Sequence, residues 1–328
     1  MRAAGGSDAC GRSARPPSDP PAEITLNGTG ASAERRSLLI DEASLADWFR
    51  DGMCVALGGL ATACHAMIGV RHIIRRGLRN LTVVGSAVGG LDVDLLIGAG
   101  CVRKVISPYV GAEALAPIGP FFRAAAERGD IDVWECDEGQ YYAGLQAAGM
   151  MLPFLPCRGG VGTSYPELNP DLKVFTDPVL GQTLLAVPAI EPDVALVHAA
   201  AADVYGNVQF VGTGYADRLL WRAAGRTLVQ VERVVSNEEI RRAPERTALL
   251  ADGVVRAPFG AHPFSSPGFY LEDRAHIHEI VEAGRAVARA GDRGPFEAYL
   301  DRYVRGPETH VDYLEQVGLR RLLSLNEY

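Results

Sequence analysis

A chain of 328 residues with 48% hydrophobic content can enclose a sizeable core in one large or two medium domains. Its 32 Lys and Arg against 40 Asp and Glu give a net charge of −8, which argues against a nucleic-acid surface, because phosphate backbones are held by clustered cations. No run approaches the roughly 20 apolar residues that cross a bilayer, and the six cysteines are scattered without a CxxC, so the expectation is a cytoplasmic protein with no membrane partner, no metal and no disulfide framework.

Residues 1–37 are rich in Ala, Gly, Ser, Pro and Arg and lack the apolar centre of a signal peptide; they read as a disordered tail before a single domain over residues 38–328. From there, β-rich runs at residues 53–58, 81–86, 102–107 and 131–136 are each followed by a Gly-containing turn and a helical stretch. This alternation predicts βαβ units in a mostly parallel open sheet with helices on both faces, an α/β fold. A second series of strands is expected at 183–190, 193–199, 207–212, 227–235 and 253–260, with helices at 215–225 and 236–242. The C-terminal part, at 273–290, 295–304 and 308–317, reads as helical. Gly, Pro, Ser and Asn cluster between Arg158 and Asp171, which makes that stretch the expected mobile connection.

Parallel α/β sheets bind ligands beyond the carboxyl ends of their strands, so the strand-to-helix loops are where a site is sought. In the first, "GGLATACH", Gly58 and Gly59 admit close backbone approach and the amides around Leu60 could face an oxyanion; a turn needing positive φ explains the same glycines. In the second, "GSAVGGLD", Ser86, Gly89 and Gly90 end the next strand. Neither is a GxGxxG, and "GTGYAD" at 212–217 lacks the third glycine. His276 and His278 are two apart and diverge on a helix, while His198 and His262 read as structural. The fourth loop, "WECDEGQ", has two readings. Asp137 with Gln140 forms a capping-box variant that leaves Glu138 at the first helical position, and Glu138 also lies on the ligand side of the sheet.

Seven collinear segments carry a resemblance: "DGMCVALGGLATACHA", "RRGLRNLTVVGSAVGGLDVDLLIGAG", "GMMLPFLP", "AVPAIEPDVALVHAAAADVYGNVQFVG", "VVSNEEIRRAPE", "APFGAHPFSSPGFYLED" and "DYLEQVGLRRLLSL". Together, over about residues 38 to 325, they resemble the A (alpha) subunit of glutaconate-type CoA-transferases of family I. The resemblance implies a chain that works beside a B (beta) subunit in a heterotetramer or larger assembly, with acyl-CoA and carboxylate substrates and coenzyme A as substrate rather than resident cofactor. It implies a glutamate nucleophile on the B chain, whose usual Glu-Asn-Gly context is absent from this sequence. Gly58, Gly59, Leu60, Ser86 and Gly89 would then line the oxyanion and substrate side, and Glu138 would act as a base or orienting residue. Two departures bear on substrate. Cys64, His65 and Ala66 stand where related A-type chains carry Arg-Lys-Pro, and the "DEG" with "GLQAA" and "LPFLP" looks more like the alpha subunit of steroid ring-opening CoA-thioester hydrolases. In that branch, a glutamate matching Glu138 carries the C–C bond hydrolysis. A catalytically silent scaffold for an active B chain is a third reading.

Overall fold

The computed structural model describes residue 10 and residues 36–326; the expected tail, residues 1–37, lies almost wholly outside the described residues. The chain first lays down β1 (Cys54–Leu57), β2 (Leu81–Val84), β3 (Val102–Ile106) and β4 (Asp132–Val133), with α1 (Met67–Arg75), α2 (Leu91–Gly98) and α3 (Pro120–Arg128) between them. After α4 (Glu138–Gly149) it leaves this sheet for β5 (Phe154–Cys157), α5 (Tyr165–Leu168), β6 (Lys173–Thr176) and β7 (Thr183–Pro188). It returns through β8 (Val194–Ala202), β9 (Asn207–Gln209), α6 (Asp217–Ala223), β10 (Arg226–Val234), α7 (Asn237–Arg241), β11 (Thr247–Leu250) and β12 (Gly253–Arg256). Helices α8 (Arg274–Ala290), α9 (Gly294–Leu300), α10 (His310–Val317) and α11 (Leu319–Leu323) follow, as the sequence predicted for this end.

Parallel pairing runs β12-β10-β8-β1-β2-β3-β4, and β9 and β11 continue the sheet antiparallel at the far end of β8. The four residues of β1 and of β2 are buried throughout, because helices cover both faces of a parallel sheet. Side chains alternate between the faces. Val55, Leu57, Val83 and Leu196 join a core with α1, α2 and the C-terminal helices, whereas Cys54, Ala56, Val84 and Val197 join a second core with α4 and α6.

The strand expected at 183–190 exists but does not join the parallel sheet. As β7 it sits between β5 and β6 in a three-stranded antiparallel sheet, with Leu155 opposite Val187 and Val174 opposite Leu185. Its alternation, with Leu185 and Val187 buried and their neighbours partly exposed, belongs to a sheet packed on one face. The connection expected to be mobile carries α5, and its end is tied to the residues just after β4 by Asn169 Nδ2 on Glu135 O at 2.9 Å and by Trp134 Nε1 on Asp171 at 3.0 Å.

The strand order positions the site. The chain crosses from β1 to β2 on one side, while β8 enters on the other, so the order switches at β1. β8 also outruns β1: their pairing ends at Leu57 and Leu196, and β9 takes up that edge only at Ala201. His198 and its neighbours therefore border a gap at the switch point, the usual place for a ligand crevice in open α/β sheets.

Candidate active site

The Gly58–Leu60 loop fills the near side of this gap. Gly59 has φ +93°, and a Cβ there would sit 2.6 Å from Ala63 O and 2.7 Å from Cys64 O. A Cβ on Gly58 would sit 2.6 Å from Asp217 Oδ1. The glycines are thus required by a tight turn and by a carboxylate pressed against it. The turn also consumes its own donors. Gly58 N bonds Leu196 O at 2.9 Å, Gly59 N bonds Asp217 Oδ1 at 3.0 Å, Leu60 N bonds Ala63 O at 2.9 Å and Ala61 N bonds Val88 O at 2.9 Å. The expectation that amides around Leu60 point at an oxyanion is corrected here: each is taken by an acceptor of the chain itself. What Gly58, Gly59 and Leu60 offer is shape.

The second loop packs directly against the first. Ser86 donates its Oγ to Val88 O at 2.7 Å, and Gly89 N bonds Tyr109 O at 2.9 Å. A Cβ on Gly90 would meet the His65 ring at 2.5 Å. That ring lies between two acceptors, the Asp92 carboxylate 2.8 Å from Nδ1 and the Ala61 carbonyl 3.0 Å from Nε2. The Nε2–Ala61 O contact is a hydrogen bond, whereas the Nδ1–Asp92 contact is an ion-pair distance without hydrogen-bond geometry. Burial opposes the charge, but Asp92 and Ala61 O outweigh it and raise the His65 pKa. His65 is thus buried, with Asp92 on one side of its ring and Ala61 O on the other.

Behind the gap lies a buried polar network. Ile68 N donates to Gln230 Oε1 at 3.1 Å, which turns the Gln230 amide nitrogen toward His198 Nδ1 at 2.9 Å. His198 Nδ1 therefore accepts, and Nε2 carries the proton facing Glu232 Oε1 at 3.0 Å and Ser266 Oγ at 3.1 Å. An imidazole in this tautomer has no free lone pair for the Ser266 proton, so Ser266, His198 and Glu232 do not form a hydrolase triad. Tyr270 OH at 2.6 Å and Phe259 N at 2.8 Å complete the Glu232 carboxylate. Glu232 also lines a cleft of about 480 Å³, with Arg233, Ser236, Glu239 and Arg256 around it at the carboxyl end of β10.

Glu138 is exposed at the first position of α4. The capping box is complete: Gln140 N bonds Asp137 Oδ1 at 3.0 Å and Asp137 N bonds Gln140 Oε1 at 2.7 Å. Gln140 Nε2 reaches Gly159 O at 2.9 Å, which joins the helix start to the connection after β5. Helix α4 packs on α6, whose first residue, Asp217, is the one that holds Gly59.

His276 meets His262 and Asp273 rather than His278, with candidate ligand atoms within 4.8 Å of one another. The Asp273 oxygens are already bonded by Arg321 Nε and Nη2, and His262 Nδ1 lies 2.6 Å from Tyr313 OH. A guanidinium on the carboxylate is unfavourable for a cation, and the cluster reads as the joint between the C-terminal helices and the sheet. Sequence reading missed Asp92, Asp217, Gln230 and Glu232. Asp92 and Asp217 left a trace, as the last residues of the "GSAVGGLD" loop and of the partial "GTGYAD" match.

Residues 41–254 match the family model described as Coenzyme A transferase, about two thirds of the chain. The chain belongs to the coenzyme A transferase family. The A-type chain of glutaconate CoA-transferase from Acidaminococcus fermentans is 30% identical to this CoA-transferase chain, covering 86% of it and 92% of its own length. The crystal structure of that enzyme superposes with a TM-score of 0.82 at 28% identity, over 89% of this chain and 96% of the other. The cholesterol ring-cleaving hydrolase IpdA subunit of Rhodococcus jostii is 38% identical, covering 79% of this chain and 89% of that one. An uncharacterised protein of Archaeoglobus fulgidus is 35% identical across 87% of this chain, which spans 65% of that protein's length.

Proposed function

We propose that this chain is the A (alpha) subunit of a two-chain CoA-transferase that moves CoA between an acyl-CoA and a carboxylic acid. The observation that carries the reading is the match of fold along 96% of a glutaconate CoA-transferase chain, at a TM-score of 0.82. In this reading the partner B chain supplies the nucleophilic glutamate, and the gap between the ends of β1 and β9 forms this chain's half of the crevice. The Gly58–Leu60 turn, with Ser86 and Gly89 behind it, shapes the wall against which the thioester lies. A weak carboxylate nucleophile suffices in such a site because proximity raises its effective concentration and closure keeps water from the acyl anhydride. Coenzyme A is a substrate, and the assembly is a heterotetramer or larger. All six cysteines are free, which suits a reducing cytoplasm.

Glu138 sets the alternative. The 38% identity to a ring-cleaving hydrolase chain, together with an exposed carboxylate at a helix start, favours a second reading, a CoA-thioester C–C hydrolase with Glu138 as general base. The test is to assay the purified two-chain complex with acyl-CoA donors, with and without carboxylate acceptors. Acceptor-dependent formation of a new CoA ester supports transfer. Acceptor-independent release of cleaved product supports hydrolysis, and full activity of the B chain alone reduces this chain to a scaffold.

A further inference from the structure

Asp217 is the first residue of α6 and is completely buried. It arrives at the Gly58–Gly59 turn from 158 residues away in sequence. One oxygen does two things there: it accepts Gly59 N–H at 3.0 Å, and it lies where a Gly58 Cβ would otherwise project, 2.6 Å away. The second oxygen, Oδ2, is buried without a hydrogen-bond partner, as is the hydroxyl of Tyr141 on the adjoining α4. The groups that act on the carboxyl electrostatically include His65, Cys64, Tyr141 and Tyr215. A group this expensive to bury, half satisfied, is not needed for a turn whose glycines already permit positive φ.

On the transferase reading, we infer that Asp217 is a positioning residue for the substrate wall, clamping Gly59 N–H and seating Gly58 so that the turn keeps one distance from the end of β1. Asparagine keeps an acceptor at the same place; alanine removes it.

The test uses the two-chain complex with wild type, Asp217→Ala and Asp217→Asn. Hydrogen–deuterium exchange of the peptide covering residues 54–66 reads the clamp directly, and steady-state kinetics with an acyl-CoA and a carboxylate acceptor read its consequence. The expected result for Asp217→Ala is faster exchange in that peptide and a fall in kcat of about 10-fold or more, with KM moving less than about 3-fold. Asp217→Asn restores both to near wild type. Should Asp217→Ala not fold, Gly58→Ala takes its place, because its methyl displaces the same carboxylate. Unchanged exchange in the clamp-removing variant overturns the inference, and so does normal kcat per folded complex with only a lowered Tm. A wild-type complex that turns over no acyl-CoA counts against the transferase reading instead, and the exchange measurement still decides the clamp.

Discussion

Two carboxylates occupy the same position on neighbouring helices and live in opposite circumstances. Glu138 and Asp217 are each the first residue of a helix, α4 and α6, where the macrodipole favours negative charge. Glu138 is exposed beside a finished capping box, so the structure asks nothing of it beyond a weak dipole interaction. Asp217 is sealed in the core, holds a turn 158 residues distant and leaves one oxygen unpaired. Burial pushes its pKa up to about 7, although the Gly59 N–H and the His65 charge oppose the rise. Freedom for chemistry lies with the first of the pair. A residue that the fold does not use is available to substrate or to a partner chain, and one that the fold uses acts through geometry.

The contrast fails most visibly if Gly59 tolerates a side chain. A Cβ at φ +93° against two carbonyl oxygens makes Gly59→Val a structural lesion, expected to destabilise by about 2–5 kcal/mol from backbone strain plus overpacking. Thermal or urea unfolding checks this. A variant with wild-type stability would mean that the turn moves freely and that Asp217 holds nothing.

The pH dependence of stability tests the buried carboxylate next. A folded pKa raised from 3.8 to about 7 means that the native state keeps a proton the unfolded chain has lost, so stability falls as pH rises through that window. The full effect is on the order of 4 kcal/mol, an upper bound. Asp217→Asn removes it, so the Tm of the variant relative to wild type is expected to rise between pH 4 and pH 8. A difference in Tm between variant and wild type that stays flat across that range would contradict the buried, half-satisfied carboxyl.

Asp137→Ala breaks the capping box that leaves Glu138 unburdened. Loss of such a cap costs about 0.5–2 kcal/mol. It should lower Tm and reduce turnover modestly through misplacement of Glu138, whereas an unchanged Tm would show that the box adds nothing. Smallest in stability is Glu138→Gln itself, at about a few tenths of a kcal/mol. Its effect on turnover separates the readings: a moderate slowing under transfer, and a fall of about 10² to 10⁴-fold if Glu138 is a general base.

Local chemistry is what the sequence made legible. β1 and β2 were readable because buried parallel strands are short apolar runs closed by glycine turns, and the Asp137–Gln140 box because its partners are three residues apart. β5, β6 and β11 were not, since Phe154–Cys157 contains a proline and Lys173–Thr176 and Thr247–Leu250 are short edge strands. The strand at β7 was legible but its place in a separate antiparallel sheet was not, because a run of apolar residues does not reveal its partners. For the site, the glycines stood out but their reason did not. Contacts such as Gly59 with Asp217, or His198 with Gln230 and Glu232, join positions far apart in the chain, and no local pattern announces them. Of the amides that looked free for an oxyanion, Gly59 N was spent on Asp217, Gly58 N on Leu196 O and Leu60 N on Ala63 O.

If this chain completes a transferase whose nucleophile is on its partner, the covalent intermediate is the most direct witness. The purified two-chain complex is to be incubated with an acyl-CoA that it demonstrably turns over, trapped with borohydride or hydroxylamine, digested and analysed by mass spectrometry. The expected result is modification of one glutamate of the B chain, none on this chain, and persistence of that adduct in the Glu138→Gln complex. Absence of any adduct across acyl-CoAs that are turned over would contradict the transferase reading and make Glu138 the acting base.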